Sequence, residues 1–326
     1  MTKVSLVGCG LVGGAWAVVF ARAGLDVTLY DPSPSAIETA LRVARESADA
    51  LAERDLTNGK TPDEIMARLT PAASLAEAAG SADYIQESAP ERLPIKQELY
   101  KALLPLIQPH AIVASSTSGL PASGFTDGLD RRERCVVAHP LNPPHLIPLV
   151  EIVPAPWTDP TVVAQTEALM RKVGQSPIVL AREIDGFVVN RLQSAVLAEA
   201  FRLVEDGICS ATAVDAAMSE GLGLRWAFMG PFETIDLNAQ GGIADYCMKL
   251  GPMYHDLAQA QADPRRWSEE LIAAVETQRR TVTPVEALDA RKAWRDRSLA
   301  ALVGAKRAIM SVDSAGGGGV VHDDRP

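Results

Sequence analysis

The chain has 326 residues, of which 47% are hydrophobic, and this is enough to bury a sizeable core and to form two domains. The formal net charge of −10 argues against a nucleic-acid-binding protein, because such proteins need a basic face to meet phosphate. No apolar run is long enough to span a bilayer, and the N-terminus does not resemble a signal peptide. The four cysteines are far apart and form no C-x-x-C pair, which predicts reduced thiols in a cytoplasmic protein.

The first half of the chain alternates short β-branched runs with helical patterns. This alternation predicts a mostly parallel, doubly wound sheet with helices on both faces. The predicted strands are 3–8, 26–31, 83–88, 111–116, 135–140, 149–154 and 176–181. The predicted helices between them include 16–23, 36–54 and 96–107. The closely spaced strands from 135 to 154 leave room for a mixed edge.

The second half of the chain is predicted to be helical, because the strand pattern stops near residue 183. The predicted helices are 184–205, 211–220, 243–249, 269–280 and 288–308. The final segment, 311–326, has a glycine run and no apolar period, which predicts a flexible tail. The expected organisation is therefore an α/β domain over 1–183, a helical domain over 184–310 and a tail over 311–326.

A glycine-rich segment follows the first predicted strand and precedes a helix. Its sequence, GCGLVG over residues 8–13, matches G-x-G-x-x-G, the turn that brings backbone amides close to a pyrophosphate. The second strand ends in Asp31, whose carboxylate can accept hydrogen bonds from an adenosine ribose and would repel a 2′-phosphate. These features predict a Rossmann-type site for NAD rather than NADP. The residues assigned to this loop are Gly8, Gly10, Leu11, Val12 and Gly13.

A histidine and a glutamate in neighbouring predicted strands are candidates for proton transfer. His139 ends the strand CVVAH, and Glu151 lies within the apolar run LVEIV. An acid in such an apolar strand needs a polar partner, and His139 is the natural one. A general base held in one tautomer is what alcohol oxidation requires. A core histidine that is merely hydrogen-bonded is the alternative.

Two further polar positions are candidates for polarising a reacting oxygen. The hydroxyl cluster SSTSG over 115–119 follows a strand, where open α/β sheets place their ligands. Asn190 lies near the start of the long predicted helix. The alternatives are a capped loop for the serines and a packing or capping role for Asn190. No residue pattern indicates a metal site, since His139 and His145 lie six apart across prolines.

The motifs ASSTSG, VVAHPLNPPHLIPLVEIVP, EIDGFVVNRL and GPFET together resemble the 3-hydroxyacyl-CoA dehydrogenase family, over about residues 3–303. The resemblance implies that His139 is the catalytic base, with Glu151 as its partner. It implies that Ser118, Asn190 and Asn142 lie near the substrate oxygen. It also implies Asp31 at the ribose of NAD, Glu91 and Lys96 lining the NAD cleft, and a homodimer contact in the helical domain. From the residues alone, Glu91 and Lys96 are an exposed helix start.

Two further stretches, EGLGLRWAFMGPFETIDLN and RKAWRDRSLAAL, are similar to the lambda-crystallin or L-gulonate 3-dehydrogenase branch of that family. Arg225 stands where acyl-CoA enzymes carry a glycine-rich or apolar stretch, and a guanidinium is a good clamp for a free carboxylate. The predicted activity is NAD-dependent oxidation of a small 3-hydroxy acid, with L-gulonate as the best guess. The alternatives are a short-chain 3-hydroxyacyl-CoA dehydrogenase, a carnitine dehydrogenase, and a non-enzymatic NAD sensor or structural crystallin. A solvated surface arginine is the alternative for Arg225.

Overall fold

The structure is a computed structural model that describes residues 2–315. Its strands form one sheet in the order β3-β2-β1-β4-β5-β6-β7-β8. The strands are β1 (Val4–Val7), β2 (Val27–Tyr30), β3 (Leu69–Pro71), β4 (Tyr84–Glu87), β5 (Ile112–Ser115), β6 (Cys135–Pro140), β7 (Leu149–Pro154) and β8 (Ser176–Val179). All neighbours pair in parallel except β6 and β7, which are antiparallel. This confirms the predicted mostly parallel sheet with a mixed edge.

The helices of the sheet region are α1 (Leu11–Arg22), α2 (Pro34–Ala52), α3 (Pro62–Met66), α4 (Leu75–Gly80), α5 (Leu93–Leu103), α6 (Ser123–Thr126) and α7 (Pro160–Lys172). The later helices are α8 (Val189–Glu205), α9 (Ala211–Ala216), α10 (Gly223–Trp226), α11 (Pro231–Leu237), α12 (Gly242–Ala260), α13 (Glu269–Val282) and α14 (Leu288–Ala315). A π-helical turn, Ala217–Leu222, joins α9 to α10. Within residues 2–315, no helix is long and apolar enough to cross a membrane.

The chain forms two compact units. The sheet unit contains residues 2–190 and 295–315, and the helical unit contains residues 191–294. The sheet has a separate apolar cluster on each face, because successive residues of a strand point to opposite sides. Leu6 lies in the cluster that holds Trp16 and Phe20, whereas Val7 lies in the cluster that holds Tyr100. This two-sided burial is what a doubly wound sheet requires.

Among the departures from the predicted elements, three have a clear physical reason. The three-residue strand β3 was not predicted, because two of its residues are exposed and it has no apolar run. The long helix predicted from residue 184 begins at Val189, because Gly186 and Phe187 have φ values of +73° and +50°, which a right-handed helix excludes. Helix α14 extends to Ala315, so the predicted tail starts later than residue 311, and its remainder lies outside the described residues.

The predicted helical domain over 184–310 also differs from the compact units at its C-terminal end. From Arg295 onward, α14 belongs to the sheet unit. Ala300 is buried in the cluster that contains Trp16, and Leu299 and Val303 pack against the same cluster. Three quarters of the last helix therefore belongs to the sheet unit, which the linear pattern of strands followed by helices did not indicate.

Candidate active site

The glycine-rich segment forms the turn between β1 and α1. Gly8 has a φ of +99°, and a Cβ there would lie 2.7 Å from the carbonyl carbon of Ser88. A Cβ on Gly13 would collide with the carbonyl oxygen of Gly8, whereas a Cβ on Gly10 would meet nothing within 4 Å. Gly8 and Gly13 therefore permit the tight turn and its close packing. Gly10 faces open space directly before the first amides of α1, where an anion can be bound.

Asp31 lies at the end of β2 and is hydrogen-bonded to the glycine turn. Its Oδ2 accepts a hydrogen bond of 2.8 Å from the amide of Cys9, and its Oδ1 accepts one of 2.9 Å from the amide of Ser33. A carboxylate has about four acceptor positions, so two remain for a ribose diol. The half-buried carboxylate lines a cleft of about 420 Å³ that also includes Tyr30 and Ala72. These groups fit the adenosine end of a dinucleotide.

His139 and Glu151 lie directly opposite each other in the antiparallel pair of β6 and β7. The Nδ1 of His139 is 2.7 Å from Oε2 of Glu151. Glu151 is fully buried, and His139 is 7% exposed, with its ring 5.7 Å from the ring of the buried Phe187. His139 lies at the same sheet edge as Gly8 and Asp31, because β1, β2 and β6 all run in one direction. The contact predicted between His139 and Glu151 is therefore present in the structure.

Glu151 has further hydrogen bonds besides that to His139. Its Oε1 accepts hydrogen bonds of 2.7 Å and 3.0 Å from the amides of Val188 and Val189 at the start of α8. Burial alone would raise the pKa of Glu151, but the hydrogen bonds from His139 and the two amides outweigh it and hold the pKa below its ordinary value of 4.5. Glu151 is thus a carboxylate that can stabilise a positive charge on the imidazole at neutral pH.

Ser118 and Asn190 also meet in the sheet unit. The side-chain Nδ2 of Asn190 donates a hydrogen bond of 2.6 Å to the backbone oxygen of Ser118. Ser118 itself is exposed, so its hydroxyl can be reached from solvent. Asn190 directly follows Val189, whose amide donates to Glu151. The loop over residues 116–122, between β5 and α6, is called the Ser118 loop below. Residues 188–190 therefore connect the Ser118 loop to the His139–Glu151 pair. Asn142 is exposed in the connection between β6 and β7.

The structure places Lys96, but not Glu91, differently from the exposed helix start expected for both. Glu91 is exposed, and its Oε1 accepts hydrogen bonds from the Thr117 hydroxyl and from the amides of Ser118 and Gly119. Lys96 is completely buried, and its ammonium pairs with Glu87 at 2.8 Å. The exposure predicted for Lys96 from the residues alone is wrong, because helix α5 turns this side chain into the interior, where Glu87 compensates its charge.

Sequence reasoning missed Glu87, and it missed that Gln86 and Ser88 contact the predicted hydroxyl cluster over 115–119. The Ser116 hydroxyl lies 2.9 Å from that of Ser88 and accepts hydrogen bonds from Trp16 Nε1 and Gln86 Nε2. These residues lie at or beside the ends of β4 and β5, next to the glycine turn. Glu151 lies within an apolar run, whereas β4 reads Tyr-Ile-Gln-Glu, with Gln86 and Ser88 on either side of Glu87. The polar neighbours of Glu87 gave no signal that its carboxylate is buried.

Arg225 lies in the helical unit, on the four-residue helix α10, and is exposed. Its charge acts on Tyr246, whose hydroxyl lies 2.9 Å from that of Tyr254. The hydrogen bond with Tyr254 is the main cause of a raised pKa of Tyr246, burial adds to it, and the positive charge of Arg225 opposes it. Arg225 thus lies close enough to Tyr246 to act on it electrostatically, in a unit that is otherwise rich in exposed apolar side chains.

Comparisons with known proteins cover nearly the whole chain. The family described as "3-hydroxyacyl-CoA dehydrogenase, NAD binding domain" matches residues 3–184, and "3-hydroxyacyl-CoA dehydrogenase, C-terminal domain" matches residues 186–286. Lambda-crystallin of Oryctolagus cuniculus is 41% identical over 94% of this chain and 97% of its own length. L-carnitine dehydrogenase of Streptomyces griseus is 40% identical over 77% of this chain and 74% of its own.

A solved structure shares the fold over almost the same extent. It is that of 5-formyl-3-hydroxy-2-methylpyridine 4-carboxylic acid 5-dehydrogenase, an NAD+-dependent dismutase. The two chains are 28% identical, with a TM-score of 0.80, over 94% of this chain and 99% of the other. Together with the glycine turn, Asp31 and the sheet order, these matches establish the cofactor as NAD and the protein as an enzyme. The chain belongs to the 3-hydroxyacyl-CoA dehydrogenase family of NAD-dependent oxidoreductases.

Proposed function

We propose that the protein oxidises the 3-hydroxyl of a small, free 3-hydroxy acid, with L-gulonate converted to 3-dehydro-L-gulonate as the best single guess. The observation that carries this proposal is the buried 2.7 Å contact between His139 and Glu151 at the cofactor edge of the sheet. A base that accepts an alcohol proton must have its other ring nitrogen held, and the fully buried Glu151 supports that role.

In the proposed reaction, His139 takes the hydroxyl proton on its Nε2, while its Nδ1–H remains donated to Glu151. The alcohol carbon becomes a carbonyl, and NAD held by the glycine turn and Asp31 would supply the acceptor for the hydride that this carbon loses. Glu151 stabilises the resulting imidazolium without taking the proton, because its low pKa keeps it ionised. Ser118, Asn190 and Asn142 lie near the substrate oxygen in this proposal, which the Asn190–Ser118 hydrogen bond supports.

The cofactor set in this proposal consists of Gly8, Gly10, Leu11, Val12, Gly13, Asp31, Glu91 and Lys96. The glycines and α1 hold the pyrophosphate, and Asp31 binds the ribose. Glu91 fixes the loop beside the cleft through three hydrogen bonds. Lys96 is buried, so it contributes through its neighbours.

The proposed substrate class rests on Arg225 as the group that binds a free carboxylate. A charge-assisted, bidentate contact would favour an acid over a neutral thioester. Two similar proteins support this class by name, one a carnitine dehydrogenase and the other a dehydrogenase of a pyridine carboxylic acid. A short 3-hydroxyacyl-CoA is the second candidate, because both domain families carry that name. We further propose a homodimer through the helical unit, whose exposed apolar side chains support it.

The central test is the variant His139→Gln, which keeps a polar side chain but cannot take the proton. Turnover should fall by roughly 10²–10⁴-fold, while NADH binding, followed by its fluorescence, stays unchanged. His110→Gln is the matched control, because His110 is an exposed histidine paired with Asp83 in the same unit. A folded His139→Gln protein with normal turnover would eliminate this mechanism.

A further inference from the structure

Glu87 and Lys96 form a completely buried ion pair in the sheet unit. Glu87 ends β4, Lys96 lies in the first half of α5, and both side chains have no solvent exposure. The ammonium is 2.8 Å and 3.0 Å from the two carboxylate oxygens of Glu87. Burying two charges carries a desolvation penalty that an apolar pair would avoid. The pair therefore needs an explanation beyond packing.

The surroundings hold Glu87 in one position. Its Oε2 accepts a hydrogen bond of 2.6 Å from the hydroxyl of Ser115, and its Oε1 accepts one of 2.6 Å from the amide of Ala89. The hydroxyl of Tyr100 donates to Oε2 at 3.4 Å. Burial, and then the charge of Glu87, raise the pKa of Tyr100 well above its ordinary value, so this donor keeps its proton. Glu87 is a fixed anion that joins β4, β5 and α5.

Lys96 connects this fixed anion to the Ser118 loop. Its ammonium lies 3.9 Å from Oε2 of Glu91. The other oxygen of Glu91 accepts hydrogen bonds of 2.6 Å from the Thr117 hydroxyl and of 3.0 Å from each of the amides of Ser118 and Gly119. The Ser118 carbonyl then accepts the hydrogen bond from Asn190. A continuous set of contacts thus runs from the core to Ser118 and Asn190.

We propose that Glu87 and Lys96 are positioning residues that fix the Ser118 loop through Glu91. This inference rests on the proposed function, in which Ser118 and Asn190 lie near the substrate oxygen. Glu87 holds the ammonium, the ammonium holds Glu91, and Glu91 holds three donors of the loop. Because Glu91 is partly exposed, it depends on Lys96 for a defined orientation. Displacing the loop by about 1 Å would disturb the reacting geometry and slow the reaction strongly.

The first experiment uses Glu87→Gln, which removes the charge and keeps the shape. We expect kcat/KM for the hydroxy acid to fall by about 10–100-fold, while the Kd for NADH changes by less than about twofold. Amide hydrogen exchange at Ser118 and Gly119 should become faster, since Glu91 no longer holds them firmly. Glu98→Gln is the matched control, because Glu98 pairs with Lys101 on the exposed side of the same helix. It should alter none of the three measurements.

A second variant covers the case in which Glu87→Gln does not fold. The double variant Glu87→Gln/Lys96→Met leaves no unpaired buried charge, so its thermal midpoint should approach that of the wild type. Its kcat/KM should nevertheless stay about 10–100-fold low, because in this variant Glu91 loses the ammonium of Lys96 itself. If activity returns together with stability, the pair serves only to stabilise the fold and the inference is wrong.

Two other results would have different meanings. An increase in the Kd for NADH as large as the loss in kcat/KM would show that the whole effect of the pair is on cofactor binding and not on the Ser118 loop, and it would overturn the inference. A wild-type protein that oxidises neither free hydroxy acids nor 3-hydroxyacyl-CoA would refute the proposed function instead. In that case, unchanged amide exchange at Ser118 and Gly119 in the folded variants would still overturn the inference, and faster exchange would support it.

Discussion

The sheet unit and the helical unit differ in how they bury apolar side chains. Helix α1 of the sheet unit is buried along nearly its whole length, including Trp16 and Phe20. In residues 191–294, by contrast, the only buried side chains are those of Ala211, Thr234, Leu271 and Thr283. Many large apolar side chains of this range are exposed, including Leu192, Phe232 and Met248. Within one chain, the sheet unit has its own core and the helical unit does not.

This difference indicates what each unit contributes. Exposed apolar patches of this extent normally mark a surface that another protein covers. The candidate site residues, apart from Arg225, all lie in the sheet unit. The helical unit therefore combines one candidate substrate residue with a large apolar surface, which supports its proposed role in dimerisation.

The largest expected effect comes from placing charges on the apolar surface of α8. Leu192 and Val196 are 61% and 37% exposed and lie one helical turn apart. If a second copy covers them, Leu192→Glu/Val196→Glu should weaken the dimer by more than about 3 kcal/mol, since two carboxylates would be desolvated. Light scattering at micromolar concentration should then give the mass of a monomer.

The matched control for the dimer is Val179→Glu, at a position 44% exposed in the sheet unit. It adds a similar charge to the other unit and should leave the mass unchanged. A wild-type protein that is monomeric at this concentration would remove the proposed dimer, and the exposed helical surface would need another partner.

The next largest effect tests whether the helical unit also takes part in the chemistry. Arg225→Met should lower kcat/KM for the free hydroxy acid by about 30- to 1000-fold, or about 2–4 kcal/mol, because the carboxylate loses a charged partner. Activity on 3-hydroxybutyryl-CoA should be unharmed or improved. Arg266→Met, at another exposed arginine of the helical unit, is the control. Two outcomes would show that Arg225 is only a surface charge. In one, 3-hydroxybutyryl-CoA is the better substrate of the wild type; in the other, Arg225→Met changes neither the activity on the free acid nor that on the thioester.

The smallest expected effect concerns His145 in the sheet unit and the pH dependence of the protein's stability. Burial, and then the charge of Arg22, lower the pKa of His145 from 6.5 to about 4. Below pH 6.5 the unfolded chain therefore binds a proton that the folded chain does not, so stability falls as the pH falls toward 4. At about 1.4 kcal/mol per pH unit, the free energy of unfolding should drop by about 2 kcal/mol between pH 6.5 and 5.

Urea unfolding at a series of pH values measures this loss. His145→Gln cannot titrate, so its stability should vary less between pH 6.5 and 5, whereas the exposed His110→Gln should follow the wild type. Glu151 does not cause the loss of stability between pH 6.5 and 5, because its pKa lies below 4.5 and its contribution to stability is lost only at lower pH. An equal slope in His145→Gln and wild type would show that His145 is not the cause.

Much of the sheet and of the candidate site could be predicted from local patterns. The glycine turn, Asp31 and the apolar strands are each specified by a few neighbouring residues. Glu151 was found because an acid inside an apolar run requires a partner, and only the strand next to it offered a histidine. Such features can be predicted because the residues that cause them are close together in the sequence.

The remaining features depend on contacts between distant segments. Lys96 is predicted to be exposed because most lysines at a helix start are, and only the packing of α5 against β4 buries it against Glu87. The start of α8 depends on the left-handed conformation of Phe187, which its side chain type does not suggest. The packing of α14 against the sheet unit likewise depends on tertiary contacts, since the helical pattern is the same on both sides of Arg295.

The register between β6 and β7 has a consequence for how this protein can diverge. His139 and Glu151 face each other because of backbone pairing, and residues 142–148 of the connection between their strands lie outside that pairing. Insertions or deletions in this connection, which carries Asn142, can therefore change what is recognised without separating the two residues. A shift of the strands by one position would instead turn Glu151 to the other face. New specificities can thus arise by loop exchange, while the proposed proton-accepting pair is inherited as a unit.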